Sequence, residues 1–122
     1  MTDLLIVDAA NVVGSRPDGW WRDRPGAARR LYDQLLAATL PGRVVFVVEG
    51  AAKPGVEPGE ADGVRVVHAT GSGDDAIVEE VARAAAGDDS AMVVTSDREL
   101  RRRVTELGAE VVGPHWLLDR LP

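Results

Sequence analysis

Three uninterrupted runs of apolar residues constrain the fold of this chain more than any other feature of its sequence. They occupy residues 4–7, 44–48 and 91–94 and consist mainly of valine, leucine and isoleucine. A strand with one wet face alternates apolar and polar residues, whereas a strand of a parallel sheet is covered on both faces and is apolar throughout. The runs therefore predict three buried parallel strands. Shorter runs at 64–67 and 110–112 predict two more strands near the sheet edges.

Apolar residues at helical spacing lie between these strands, which is the pattern of an α/β fold with a parallel sheet. Proline, serine and glycine at the ends of these segments set the predicted helix limits. The first expected helix starts at Pro25 and ends before Pro41, and the second runs from about Ser72 to Gly87. The third covers about residues 97–107, and a short last helix follows Pro114. Residues 50–63, which contain glycines, two prolines and several charges, are predicted to form a loop.

The predicted order of elements is β-α-β-β-α-β-α-β, in a single domain that covers residues 1–122. The first strand should lie in the centre of the sheet. Open α/β sheets bind ligands outside the carboxyl ends of their strands, at the point where the strand order reverses. Side chains that directly follow the strands are therefore the first candidates for a functional site.

The composition limits the classes of function. The chain has no cysteine, which excludes disulfides and thiol chemistry. Its first residues lack the basic start and long apolar run of a signal peptide or membrane span, so we expect a cytoplasmic protein without membrane contact. The net charge of −6 argues against bulk binding of polyanions. Arginines account for 13 of the 14 basic residues, and their clusters form either local phosphate-binding surfaces or ordinary solvated helix faces.

Carboxylates follow the predicted strands. Asp8 comes directly after the first strand, Glu49 after the second and Asp97 shortly after the fourth, while Asp74 and Asp75 open the helix behind the third. The carboxyl ends of parallel strands meet at one sheet edge. If the first and fourth strands are neighbours, the backbone at Asp8 and Asp97 is about 5 Å apart. Two carboxylates at such a short distance raise one another's pKa or require a cation.

A hard cation that prefers oxygen ligands, such as Mg²⁺ or Mn²⁺, meets this requirement and can clamp a phosphodiester and activate water. Each acid also has a structural alternative. Asp74 and Asp75 suit a helix N-terminus, Asp97 can cap its helix, and Glu49 can be a solvated loop residue. Asp8 is harder to explain in this way, because a charge directly after a buried strand needs partners. The presence of all these acids at one edge of the sheet predicts a metal site.

Spacing refines the roles of two residues. Asp74 lies three and seven residues before Ile77 and Val81, so it should face the site, with Asp75 beside it. Asn11, three residues after Asp8, either orients Asp8, holds a water ligand through its amide, or forms an Asx turn.

These residues lie in four short segments, which are IVDAAN at 6–11, VVEG at 47–50, GDDAI at 73–77 and VTSDR at 94–98. In this order the segments resemble the NYN branch of the PIN-like nucleases, and within it the YacP-like proteins. The resemblance implies an α/β, Rossmann-like three-layer PIN-like fold. Its sheet would be mostly parallel, with about five strands in the order 3-2-1-4-5.

The resemblance also implies a function. Asp8, Asp74 and Asp97 would bind the metal and Asn11 would support them, with Asp75 and Glu49 as further candidates. Many NYN proteins carry aspartate at the position of Glu49. Related proteins cleave RNA endonucleolytically, and one YacP-like member acts on mRNA at the ribosome. The implied activity is a metal-dependent endoribonuclease acting on single-stranded RNA, with the ribosome and a second copy of the chain as candidate partners.

Several residues are candidates for RNA contacts. Trp20 lies beside Arg22 and Arg24, where an exposed indole can stack an unpaired base. Trp21 can instead pack under the loop and staple the first helix, and we expect one of the two indoles to pack. Two arginines follow Asp97 on its helix and are placed to contact phosphates, namely Arg98 and Arg101.

Two other classes of protein were weighed against this interpretation. An aspartyl-phosphate phosphatase also has an aspartate after its first strand, but it needs a second aspartate where this chain has Ala10, and a lysine near the site, whereas Lys53 lies in the predicted loop. The alternative that stays open is a non-catalytic RNA-binding or interaction module on a degenerate PIN-like scaffold. The presence of every acid argues against it.

Overall fold

The fold is built on one six-stranded sheet, seen in a computed structural model that describes residues 2–122. The strands follow one another along the sheet in the order β3-β4-β2-β1-β5-β6. Their bounds are β1 (Leu4–Asp8), β2 (Arg43–Val48), β3 (Gly59–Ala61), β4 (Val64–His68), β5 (Ala91–Val94) and β6 (Glu110–Val112). All neighbouring pairs are parallel except β3 and β4, which are antiparallel.

Within residues 2–122, four α-helices and two 3₁₀ helices connect the strands, and a fifth α-helix follows the last strand. The α-helices are α1 (Ala9–Gly14), α2 (Arg24–Ala37), α3 (Gly73–Ala86), α4 (Arg98–Glu106) and α5 (Pro114–Leu118), and the 3₁₀ helices are Trp20–Arg22 and Gly50–Gly55. α2 and α3 have 14 residues each, and no helix within residues 2–122 is both long and apolar enough to cross a membrane.

The helices cover the sheet in two layers, as the apolar runs require. In β1, Leu5 and Val7 pack with residues of α1, α2 and α5 on one face. Ile6, between them, packs on the other face against α3 and α4. Because successive side chains of a strand point to opposite faces, a run that is apolar throughout provides both contacts. The chain is therefore a three-layer α/β structure, as predicted.

The strand order reverses at β1, which pairs with β2 on one side and β5 on the other. The chain runs from β1 towards β2 and β4 first, and towards β5 and β6 afterwards. A crevice opens at such a point, outside the carboxyl ends of the central strands. Asp8, Glu49 and the segment after Val94 all lie at these ends.

The predicted order 3-2-1-4-5 corresponds to β4-β2-β1-β5-β6 and is confirmed for the five parallel strands. The number of strands was wrong by one, because residues 50–63 are not a simple loop. They contain the 3₁₀ helix Gly50–Gly55 and the short edge strand β3. Asp62 and Gly63 have positive φ angles in the turn between β3 and β4. Asp-Gly is a strong hairpin signal, but the exposed Gly-Glu-Ala strand in front of it has no apolar alternation to reveal it.

On the face of the sheet that α3 and α4 cover, a buried carboxylate links α3 to β4. Glu80 is buried, and its two carboxylate oxygens accept hydrogen bonds from both terminal nitrogens of Arg65 on β4, at 3.2 and 2.6 Å. Arg83, one turn further along α3, donates to Glu80 at 3.3 Å from an exposed position. A bidentate pair of this kind satisfies a charge that would otherwise be costly to bury.

We predict that Arg65→Met destabilises the fold by about 1–3 kcal/mol, because Glu80 then keeps only the exposed Arg83 as a partner. Solvent at Arg65 keeps this loss below that of a fully buried pair. Urea unfolding at neutral pH measures it. As a control, Arg29→Met breaks the exposed Arg29–Asp33 pair and should cost less than about 0.5 kcal/mol. Equal losses in both variants would contradict the structural role of Glu80.

Candidate acidic site

Asp8 is the buried centre of the predicted acidic group. It ends β1 and is only 5% exposed. One carboxylate oxygen, Oδ1, accepts from the backbone N–H of Asn11 at 3.4 Å and so caps α1. The other, Oδ2, accepts from the hydroxyl of Thr95 at 2.9 Å. α1 follows β1 without an intervening loop because Asp8 is both the last strand residue and the helix cap.

Thr95 links Asp8 to Asp97. The hydroxyl oxygen that donates to Asp8 also accepts from the backbone N–H of Asp97 at 3.2 Å, and Thr95 is fully buried. One side chain therefore fixes the relative positions of the two aspartates. Thr95 was not among the predicted site residues. Its signal was present in the sequence, since a polar residue directly after a buried strand requires a partner.

Asn11 holds the segment that carries Asp97. Its carboxamide oxygen accepts from both the backbone N–H and the hydroxyl of Ser96, at 2.9 and 3.0 Å. The side chain thus fastens the end of β5 to α1. The hydrogen bond between these two residues joins the backbone N–H of Asn11 to the side chain of Asp8. The turn is therefore formed by the side chain of Asp8 and not by that of Asn11. Asn11 therefore positions the loop between β5 and α4, a role that its spacing from Asp8 did not predict.

Asp97 both caps α4 and faces the crevice. Its Oδ1 accepts from the backbone N–H of Leu100 at 2.8 Å, which confirms the helix-capping alternative considered for this residue. The carboxylate nevertheless acts electrostatically on Asp74, whose pKa it raises. Capping and membership of the acidic group are therefore compatible.

Glu49 and the first turn of α3 are in close contact. The carboxylate of Glu49 accepts from the backbone N–H of Gly73 at 3.0 Å. A Cβ atom at Gly73 would lie 2.8 Å from Glu49 Oε1, so a side chain at position 73 would push Glu49 away. Glycine at this position allows α3 to begin against the end of β2.

The neighbouring aspartates of α3 differ. Asp74 is partly buried and lies in the field of Asp97 and Glu49. Asp75 is exposed, and its Oδ1 accepts from Arg103 of α4 at 2.9 Å. As predicted, Asp74 faces the acidic group and Asp75 lies to its side, where it is paired with a cation.

The carboxylates perturb one another. Burial is the largest cause that raises the pKa of Asp8 to about 6, and the charges of Asp74 and Glu49 raise it further, while hydrogen bonds from Thr95 and Asn11 oppose the rise. Burial, followed by the charges of Asp97 and Glu49, also raises the pKa of Asp74. We call these four acids, Asp8, Glu49, Asp74 and Asp97, the acidic cluster, because charges within the group add to the effect of burial on the pKa of Asp8 and of Asp74.

The ligand chemistry of the acidic cluster suits a hard cation, since every side chain offers oxygen. Among residues 2–122, however, no three histidine, aspartate or glutamate side chains are arranged so that they could directly hold a metal ion. Mg²⁺ usually retains several waters and is bound through one or two carboxylates. The donors therefore fit an ion that is held partly through water.

Aromatic and basic side chains lie beside the acidic cluster. The guanidinium of Arg24 lies 5.1 Å from the ring centroid of Trp20, and that of Arg22 lies 5.8 Å from Trp21. Trp20 is partly buried and packs against the core, whereas Trp21 is 55% exposed. One indole packs, as expected, but it is Trp20, the residue named for base stacking, whereas Trp21, for which packing under the loop was considered, is the exposed one.

The arginines of α4 have different environments. Arg98, the first residue of the helix, is exposed. Arg101 is partly buried and uses its Nε to donate to the backbone oxygen of Thr95 at 2.8 Å. Arg101 therefore supports the end of β5, and its terminal nitrogens are what remain to contact a phosphate.

We predict that the charge of Asp8 destabilises the metal-free protein above pH 6. The pKa is 3.8 for the ordinary carboxyl group and about 6 in the fold, so the cost is absent below pH 4, grows between pH 4 and 6, and is complete above. With EDTA present, Asp8→Asn should gain roughly 3 kcal/mol relative to the wild type between pH 4 and 7. Urea unfolding across this range measures the difference. The exposed Asp33→Asn is the control, and a pH-independent difference for Asp8→Asn would show that its burial is not costly.

No family model matches this sequence, and no curated protein matches it. Solved structures do match. The crystal structure of Rae1 (YacP) from Bacillus subtilis superposes with a TM-score of 0.75 at 20% sequence identity, over 97% of this chain and 72% of that one. The W164L mutant of the same protein gives a TM-score of 0.71 at 20% identity, over 97% and 74%. The similarity in structure extends over nearly the whole chain, and we conclude that this chain has a YacP-like fold.

Proposed function

We propose that this chain is a metal-dependent endoribonuclease that hydrolyses phosphodiester bonds of single-stranded RNA with Mg²⁺ or Mn²⁺. One observation carries the proposal. The ends of β1 and β2, the start of α3 and the start of α4 each bring a carboxylate to the crevice where the strand order reverses. The acids of this cluster act on one another electrostatically although each comes from a different element.

Each acid has a role in this proposal. Asp8, Asp74 and Asp97 hold the metal directly or through water. Glu49 acts electrostatically on the same acids and is a further ligand. Asp75 is paired with Arg103 and holds α3 and α4 together beside the acidic cluster. Asn11 fixes the loop that presents Asp97. The bound metal would offset the charge of a phosphodiester and activate water for its hydrolysis.

Basic side chains near the acidic cluster would bring RNA to an otherwise acidic protein. Arg98 and the terminal nitrogens of Arg101 lie on the α4 side, and Arg22 and Arg24 lie with Trp20 on the α2 side. Arginine suits bidentate phosphate contacts, and an indole suits base stacking. A strand of RNA would then cross the crevice from one group to the other. We propose a cytoplasmic location, with mRNA, free or on the ribosome, as the substrate.

One observation favours a second candidate function. No three acidic or histidine side chains of residues 2–122 form a ready metal cage. A non-catalytic RNA-binding module on the same fold would not need such a cage. The two candidates differ in whether RNA is cut once Mn²⁺ is supplied.

We predict endonucleolytic cleavage of a labelled, mostly single-stranded RNA with Mn²⁺ or Mg²⁺, and no cleavage with EDTA. Asp8→Asn and Asp97→Asn should each lower the rate about 100-fold or more, because loss of groups that merely support ligands already costs 10- to 100-fold. Asp33→Asn, which removes an exposed carboxylate of α2, is the matched control and should keep the wild-type rate.

The same reaction with ribosome-bound mRNA tests the partner. Cleavage there but not on free RNA would retain the chemistry and add the ribosome as a requirement. RNA that binds but stays intact under every condition would refute the nuclease and leave the binding module. Cleavage that persists in the Asp8→Asn variant would mean that residues other than Asp8 bind the metal.

A further inference from the structure

A small cleft lies next to the acidic cluster. Its volume is about 260 Å³, and it is bounded by the start of α1, the first turns of α2 and the 3₁₀ helix Gly50–Gly55. Glu49 belongs to both the cleft and the acidic cluster, and Ala9 follows Asp8 directly. Pockets for drug-sized ligands measure about 300–1,000 Å³, so this cleft suits a smaller group.

The walls of the cleft are mostly uncharged and small. Five alanines contribute to them, namely Ala9, Ala10, Ala28, Ala51 and Ala52. Small side chains on three different elements leave a space that any longer side chain would fill. An uncharged, flat group gains from such a space because the apolar surface on both sides is removed from water.

One wall of the cleft is aromatic. Trp20 lines it together with Arg24, whose guanidinium lies over the indole at 5.1 Å. Trp21 meets Trp20 edge-on, with centroids 5.9 Å apart, and lies outside the cleft. Aromatic rings and arginine planes are the surfaces on which proteins stack unpaired bases.

The cleft is formed before any ligand arrives. The 3₁₀ helix Gly50–Gly55 lies so close to α2 that a Cβ atom at Gly55 would come within 2.0 Å of the backbone oxygen of Pro25. Glycine at this position lets the two backbones touch. The wall that carries Ala51 and Ala52 is therefore fixed against the helix that carries Arg24 and Ala28. A preformed site avoids the entropic cost of ordering on binding.

We propose that this cleft binds one unpaired nucleobase of the RNA strand whose phosphodiester lies at the acidic cluster. The inference rests on the proposed function for the identity of the ligand, since RNA is what would cross the crevice. The base enters between the alanines and lies against the wall formed by the indole of Trp20 and the guanidinium of Arg24 that covers it. Arg24 then also lies close to the adjoining phosphate. A base held there fixes which phosphodiester reaches the acids.

The test measures binding of short labelled single-stranded RNAs by fluorescence anisotropy in EDTA, with an abasic nucleotide placed at each position in turn. Ala51→Leu fills the cleft from an exposed position, and Ala82→Leu, exposed on α3, is its matched control. Trp20→Ala removes the aromatic wall. Loss of one stacked base should weaken binding roughly 5- to 100-fold.

Three results support the proposal together. An abasic nucleotide at one position, and not at others, weakens binding to the wild type by this factor. Ala51→Leu and Trp20→Ala weaken binding to intact RNA similarly, and the abasic position then has no further effect. Ala82→Leu behaves as the wild type. Ala51→Leu keeps the test valid if Trp20→Ala disturbs folding.

Equal effects of abasic nucleotides at all positions, no effect of Ala51→Leu, or no RNA binding would each overturn the nucleobase cleft. Cleavage of the same RNAs with Mn²⁺ is measured in parallel. RNA that is cut at the wild-type rate by Ala51→Leu, without a change in cut position, would refute the cleft and leave the nuclease intact. Position-specific binding without any cleavage would support the cleft and refute the nuclease.

Discussion

The structure depends on the burial of one carboxylate, that of Asp8, at the end of a strand covered on both faces. An ionised group in that place is unfavourable unless other atoms meet its needs. Thr95, which follows β5, and the first turn of α1 each supply one hydrogen bond. The need to satisfy Asp8 thus determines how β5 approaches β1 and why α1 begins at once. The remaining acids add negative charge to an already unfavourable position, which protonation of Asp8 or a bound cation would relieve.

Support for the acidic cluster comes from uncharged polar groups more than from basic ones. Thr95 and Asn11 hold the loop that carries Asp97, and a backbone N–H of α3 holds Glu49. Arg103 donates to the carboxylate of Asp75, and Arg101 donates to the backbone oxygen of Thr95 after β5. These two basic side chains therefore form their hydrogen bonds outside the acidic cluster and not with its carboxylates. This arrangement suits a site that is completed by a ligand from solution.

The sequence predicts the parallel strands and the acids at their ends, because each depends on a local pattern, whereas the full strand order was implied by the resemblance to the YacP-like proteins. Apolar runs mark strands buried on both faces, and the residue after such a run lies at the carboxyl edge whatever the details of packing. β3 was missed because three exposed residues, Gly-Glu-Ala, show no period, and α1 because no loop separates it from β1.

The roles of Thr95 and Asn11 could not be read from the sequence for a different reason. Their partners, Asp8 and Ser96, are 87 and 85 residues away and become neighbours only when β5 pairs with β1. The cleft is likewise a product of tertiary packing. In the sequence Ala28 lies in a predicted helix and Ala51 and Ala52 in a predicted loop, and they become neighbours only when the 3₁₀ helix Gly50–Gly55 packs against α2.

The two borders of the sheet have a consequence for association between copies. β3 and β6 are three residues long, and each contains a glutamate, Glu60 and Glu110. Another chain that added a strand to either border would find few backbone groups to pair and a negative charge beside them. Such borders discourage growth of the sheet into continuous aggregates. If two copies of this chain associate, their contact is therefore expected to form between helices, which leaves the carboxyl edge of the sheet open to solvent.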